Sequence, residues 1–189
     1  AYYTVHTPIE AKPEVVEYYE KKIKPGMKHQ NAIYAAMVHI MDENVGRILD
    51  KMDELGLSEN TVVILTSDNG GVSHVWRDMI ITSNAPLRSG KGSLYEGGIR
   101  VPLIVKWPGT TTAGSEIECL TSTQDFYPTL MEITDAQGDS KQNEELDGIS
   151  LVPILKDKKT KLTRNTLFWH YPHYYPTTSP VSAIRHGDW

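Results

Sequence analysis

The sequence holds one cysteine in 189 residues, Cys119. That count rules out an internal disulfide and a cysteine-rich zinc module. Positive charge is not in excess either, since 19 Lys and Arg face 24 Asp and Glu for a formal charge of −5. A dedicated nucleic-acid binder needs a basic face for phosphates, which this balance argues against. No run approaches the roughly 18 continuous apolar residues of a membrane helix, so no helical span is expected. Internal repeats and low-complexity tracts are lacking too. What is there, 39% hydrophobic and 23% charged residues, suits about one globular α/β or α+β domain with a packed core.

The ends are unusual. Ala1-Tyr-Tyr-Thr-Val-His6 reads as the end of a strand with no initiator Met or leader, and Ser182 to Trp189 as an extended segment stopped partway. The expectation is a piece cut from a longer protein. Between the ends, Pro13 to Ile23 predicts a short amphipathic helix closed by Pro25-Gly26. Asn31 to Leu55 predicts the main helix, with Tyr34, Val38, Met41, Val45, Ile48, Met52 and Leu55 on one stripe and Gly56 as its left-handed stop. Thr61 to Ser67 is a β-branched run expected to be a strand buried on both faces. Val101 to Trp107 predicts a second strand, closed by Pro108-Gly109. Asn69 to Gly98 reads as a long functional loop, Thr123 to Thr134 as a helix kinked at Pro128, and Thr166 to His170 as a further strand.

Ser67-Asp68-Asn69-Gly70-Gly71 follows the first strand, where ligands collect in open α/β sheets. A carboxylate and an amide oxygen without a thiolate suit a hard cation, Ca²⁺ or Mg²⁺, rather than zinc. An Asx turn would use the same residues. An EF-hand is excluded, because its third, fifth and twelfth positions would be Gly70, Val72 and Met79. Further on, Lys91 stands between Gly90 and Gly92, which lets the backbone approach an anion within reach of the ammonium. A flexible turn with a solvated lysine is the alternative. Neither a Walker loop nor a dinucleotide fingerprint fits, since Ala85, Gly92 and Tyr95 occupy positions those motifs reserve for other residues.

Glu96 and Arg100 are placed to pair and brace the loop. His74 and Arg88 lie in that loop and stand as candidate substrate contacts, as do His170 and His173 in the polar-aromatic Trp169 to Tyr175. His6, alone at the end of its segment, has no local partner that marks it as a catalyst. Cys119 has Glu118 and Leu120 beside it and no cation to activate it, so it reads as a small core residue.

In their order these pieces resemble the sulfatase family of the alkaline-phosphatase-like superfamily. The resemblance runs through His6-Thr-Pro8, Tyr34-Ala-Ala-Met37, Asp42 to Gly46, Asn60-Thr61-Val62 and Thr66-Ser-Asp-Asn-Gly-Gly71. It continues through Pro86-Leu-Arg-Ser-Gly-Lys-Gly92, Tyr95-Glu-Gly-Gly-Ile-Arg-Val-Pro102, Trp107-Pro-Gly109, Asp125-Phe-Tyr-Pro-Thr129, Leu146-Asp-Gly148 and Ala183-Ile-Arg185.

The resemblance implies an α/β fold, part of an alkaline-phosphatase-like sandwich with a mostly parallel sheet flanked by helices. Residues 1–165 would be the second part of the catalytic domain, and 166–189 the start of a small C-terminal subdomain. It implies hydrolysis of aryl or carbohydrate sulfate esters by the whole protein. On this resemblance Asp68 and Asn69 correspond to two of four calcium ligands, with Mg²⁺ the other choice of ion. Lys91 corresponds to the lysine that holds the sulfate group, and His6 to the histidine beside the bridging ester oxygen. The family's nucleophile is a formylglycine made in a Cys/Ser-x-Pro-Ser-Arg motif, expected in an N-terminal region outside these residues. Cys119-Leu-Thr-Ser-Thr123 does not replace it, because Thr121 stands for Pro and Thr123 for Arg.

Partners implied are a sulfated small molecule or glycan, with no nucleic acid and no membrane span. The family points to a periplasmic, secreted or lysosomal location. Without the nucleophile region the isolated chain is expected to be inactive and to self-associate through uncovered apolar faces. Two other readings stand beside this one. They are a phosphodiesterase or phosphonate hydrolase of the same superfamily, and a non-catalytic sulfatase-like binding fragment.

Overall fold

A computed structural model describes residues 2–188. Backbone contacts divide the chain into two units, one of residues 2–104 with 171–181, the other of residues 105–170 with 182–188.

In the first unit, α1 (Pro13–Glu20) begins with a proline whose fixed φ suits the first helical turn. It packs on α2 (Ala32–Glu54), where the Tyr19 hydroxyl meets His39 Nδ1 at 3.1 Å. The Asn31 side chain accepts the Tyr34 N–H at 3.0 Å and caps α2 at its start. Gly56, at φ +66, ends it as expected, with Leu57 N–H on the Met52 carbonyl and Gly56 N–H on that of Asp53. The buried side of α2 is Ala32, Ala36 and Met37, not the whole expected stripe, for Val38, Ile48 and Leu55 are exposed. Met37 joins Ile9 and Ile81 in the core, with Ile33, Tyr34, Val72 and Trp76 packed around them.

Strand β1 (Val63–Thr66) pairs with β4 (Leu103–Lys106), and Pro102 sits just outside that ladder, where its missing N–H costs nothing. The expected two-sided burial of β1 is not met: Leu65 and Thr66 are exposed. The stretch between the strands is also more ordered than a loop. It carries an antiparallel hairpin of β2 (Val75–Trp76) and β3 (Met79–Ile80), and the one-turn helix α3 (Glu96–Ile99). Arg77 and Asp78 turn that hairpin with φ +48 and +61, the two positive values a tight hairpin turn requires. Arg-Asp is not the Asn-Gly or Asp-Gly signature, so composition hid the turn. Residues 3–6 form a turn closed by His6 N–H on the Tyr3 carbonyl rather than the end of a strand.

In the second unit a 3₁₀ turn (Thr123–Asp125) leads into α4 (Phe126–Thr134), which Pro128 enters within the first turn, where no intrahelical partner for its nitrogen is needed. Helix α5 (Ser140–Asn143) interrupts a polar stretch, and α6 (Val152–Lys156) packs on α4. Fully buried Asp125 organises the unit. Its carboxylate accepts N–H bonds from Ser122 (2.7 Å) and Ile149 (3.0 Å) and a two-pronged contact from Arg164 (2.8 and 2.5 Å). Strands β5 (Thr166–Tyr171) and β6 (Val181–His186) pair, as their sequences suggested. Among the described residues no helix is long and apolar enough to cross a membrane. The class is α/β.

Candidate functional site

The turn after β1 is gripped from three directions. Gly70 N–H donates to the Gly98 carbonyl at 2.9 Å. Gly71 donates to Asn84 Oδ1 at 3.0 Å, and Asn84 Nδ2 returns bonds to the carbonyls of Gly71 (2.9 Å) and Ser89 (3.0 Å). Ser67 Oγ donates to the Asn69 carbonyl at 3.0 Å. The turn therefore presents Asp68 exposed and Asn69 half-buried on a fixed backbone. Asn69 Nδ2 is occupied by the Gly70 carbonyl at 3.0 Å, which leaves Oδ1 as the group open to a ligand. Two oxygen donors suit a hard divalent cation in kind but not in number, and no group of three or more His, Cys, Asp or Glu among the described residues is placed to hold a metal.

The glycines of this region exist for close approach. A Cβ on Gly90 would lie 2.3 Å from the Gly71 carbonyl oxygen, and one on Gly97 2.2 Å from that of Ser89. With backbones this near, Lys91 N–H donates to the Gly71 carbonyl at 3.0 Å, which ties the lysine to the Asp68–Asn69 turn.

Lys91 and His6, 85 residues apart, are brought together: Nζ lies 3.1 Å from Nε2. The other ring nitrogen, Nδ1, lies 2.7 Å from the Thr7 carbonyl oxygen. A carbonyl only accepts, so Nδ1 carries the proton and Nε2 offers its lone pair to the ammonium. Nε2 is thereby the atom left to exchange a proton. His6 is exposed and Lys91 half-buried, with the Tyr3 ring 5.3 Å from the imidazole.

The remaining candidates scatter. His74 meets the Tyr175 ring edge-on at 5.7 Å, with Nδ1 buried and without a partner among the described residues. The Arg88 guanidinium lies over the Tyr95 ring at 3.7 Å. His173 is exposed and stands edge-on to Tyr171 at 5.2 Å. His170 belongs to the other unit, exposed on β5, with Nδ1 2.8 Å from Ser182 Oγ. Glu96 and Arg100 do pair, at 3.4 Å. Cys119 is not a core residue but exposed. Local desolvation pushes its thiol above the usual range; Arg164 pulls it down by less, and Asp125 adds a still smaller push upwards, so it is no activated thiolate. Burial likewise raises the Tyr34 phenol, which Thr82 opposes by hydrogen bonding.

Residues that sequence reasoning missed are Asn84, whose side chain closes the turn, and Thr177, whose hydroxyl donates to the Lys91 carbonyl at 2.9 Å. No local signal marks Thr177, because its partner is 86 residues away.

Comparison with known proteins gives two family-model matches, one described as Sulfatase over residues 1–136 and one as N-sulphoglucosamine sulphohydrolase, C-terminal, over residues 90–187. A protein named sulfatase from Formosa agariphila is 39% identical over 99% of this chain and 35% of its own length. The steryl-sulfatase of Homo sapiens is 36% identical over 84% of this chain and 26% of its own length. Among solved structures, Ps i-CgsB in complex with k-i-k-neocarrahexaose superposes with a TM-score of 0.69 at 32% identity, covering 82% of this chain and 32% of that one. The chain thus spans about a quarter to a third of the length of the curated relatives it matches.

Proposed function

Since this chain belongs to the sulfatase family, we propose that it supplies the sulfate-holding and leaving-group side of a sulfate-ester hydrolase, with Lys91 and His6 as the catalytic pair. The observation that carries this reading is the 3.1 Å contact between Lys91 Nζ and His6 Nε2, with the Lys91 backbone tied through Gly71 to the turn bearing Asp68 and Asn69. An ammonium and an imidazole nitrogen so close would face an anionic group whose bridging oxygen leaves with a proton. Lys91 offsets the negative charge of the non-bridging sulfuryl oxygens, while the bond electrons of the breaking S–O bond pass to the leaving oxygen. Thr7 holds the ring through Nδ1–H, so Nε2 first takes up a proton from solvent; the resulting imidazolium returns that proton to the bridging oxygen as the S–O bond breaks, and a sugar alkoxide departs as the neutral alcohol.

Asp68 and Asn69 would hold one side of a divalent cation, which we assign as Ca²⁺ because its shell of six to eight oxygens tolerates irregular donors from a turn. Such an ion supplies positive charge to the sulfuryl group when bound. The 189 residues contain no Cys/Ser-x-Pro-Ser-Arg motif, so the nucleophilic formylglycine and the other metal ligands would come from the remainder of the protein. We assign a carbohydrate sulfate as the substrate, with an aryl sulfate second. The complex of a similar protein with neocarrahexaose supports that order, as does the aromatic stretch from Trp169 to Tyr175. The same reading places the protein in a periplasmic, secreted or lysosomal compartment.

The test is leaving-group dependence in the whole enzyme. For His6→Ala, turnover of a sugar sulfate should fall about a hundredfold or more, whereas 4-nitrophenyl sulfate, whose phenolate leaves unaided, should lose less than about tenfold. Equal losses on both substrates would remove the general-acid role, and native kinetics on both would remove the site.

A further inference from the structure

We infer that Thr177 is a positioning residue for Lys91, and that the segment between β5 and β6 serves the site by holding that lysine. The inference rests on the sulfate-holding role proposed for Lys91.

Lys91 lies between two glycines, the residues with the greatest backbone freedom, and Gly92 sits at φ +83. A lysine there has no reason of its own to keep one direction. Two hydrogen bonds on its backbone decide the matter. Its N–H is held by the Gly71 carbonyl at 3.0 Å, and its carbonyl by Thr177 Oγ1 at 2.9 Å. The first bond fixes Lys91 to the turn of Asp68 and Asn69. The second holds the far side of the same residue, so each peptide plane flanking Cα has a partner that opposes its rotation. Four further dihedrals separate Cα from Nζ, so an angular error at the backbone grows along the side chain.

The donor itself is well anchored. Tyr175 and Thr178 exchange backbone hydrogen bonds, each of 3.0 Å, and enclose Thr177 in the tip. The Tyr175 ring lies against Gly92 so closely that a Cβ on that glycine would be 2.0 Å from it, and His74 backs the ring from the side. Thr177 is half-buried, as is Lys91, so water competes poorly for the bond. Thr177 touches no reacting group in this geometry and acts only through Lys91.

The experiment is a double-mutant cycle in the whole enzyme, read by kcat/KM on a sulfate ester, by inhibition with inorganic sulfate, and by thermal melting. Thr177→Val keeps the shape and deletes the donor, and Thr177→Ala serves the same purpose if the valine variant melts below the assay temperature. Either should lower kcat/KM about tenfold and weaken inhibition by inorganic sulfate by a similar factor, as expected for a misdirected charge rather than lost protein. Thr177→Ser restores the hydroxyl and should stay within about twofold of the native enzyme on both readouts. In the Lys91→Ala background, Thr177→Val should add less than about twofold, because the group it directs is already gone. Additive losses, a serine variant as poor as valine, or unchanged inhibition by sulfate would each overturn the positioning role. If Lys91→Ala alone left native kinetics, the proposed role of Lys91 would fall first, and Thr177 with it.

Discussion

Alanine at Gly90 is the most direct probe of how the site is built. Its Cβ would lie 2.3 Å from the Gly71 carbonyl oxygen, 2.5 Å from Ser73 Oγ and 2.7 Å from Asn84 Nδ2. Ordinary contact begins at 3.4 Å, so the Gly71 carbonyl and residue 90 must part by about 1.1 Å, the difference between 3.4 and 2.3 Å. That carbonyl is no bystander: it accepts both the Lys91 N–H and the Asn84 amide. Parting it from residue 90 shifts Lys91 against the Asp68–Asn69 turn by a comparable distance. A misplacement of about 1 Å costs on the order of a hundredfold in rate, and the overpacking itself about 1–3 kcal/mol in stability. Gly90→Ala should therefore lower kcat/KM on a sulfate ester about a hundredfold, with a lowered melting temperature. Gly46→Ala on α2 is the control, because its Cβ meets nothing within 4 Å. It should leave kinetics unchanged and gain up to about 1 kcal/mol from the helix. Activity of Gly90→Ala within about threefold of native would refute the argument that close backbone approach sets the position of Lys91.

Two other outcomes follow from the second unit. Asp125→Ala leaves the Arg164 guanidinium with the Leu120 carbonyl but no counter-charge, and the Ser122 and Ile149 N–H groups without their carboxylate acceptor, so urea unfolding should show a loss of about 3–5 kcal/mol, and a loss under about 1 would contradict the role given to this pair. Cys119, although exposed, should react with iodoacetamide more slowly than free cysteine at pH 8, because a raised thiol pKa lowers the thiolate fraction there; the deficit should close as pH rises past the ordinary 9.0, and a rate equal to free cysteine at pH 8 would contradict it.

Local instructions were legible in the sequence wherever a residue and its consequence lie within a turn of each other. Asn31 and Gly56 bound α2 because a cap and a left-handed stop act on the adjacent backbone. Pro102 and Gly109 bracket β4 for the same kind of reason. The Arg77–Asp78 hairpin escaped notice because non-glycine residues take positive φ there, which composition does not announce. The stripe on α2 and the two-sided character of β1 predicted more burial than these residues have, since periodicity records which faces suit apolar contact and not what covers them.

The oxygen donors Asp68 and Asn69 and the glycine-flanked Lys91 could be picked out from the sequence alone, because adjacent residues and their chemistry suffice to define them as candidates. What they face could not. That His6 meets Lys91, that Asn84 closes the turn over Gly71, and that Thr177 takes the Lys91 carbonyl are contacts spanning 13 to 86 residues. Such contacts carry no sequence period, and they form only when packed backbones bring the groups within 3.1 Å of one another. The sequence by itself determined which chemical groups were present and which local turns carried them. The tertiary structure decided which nitrogen of His6 holds its proton, because only the Thr7 carbonyl on one side and the Lys91 ammonium on the other distinguish the two.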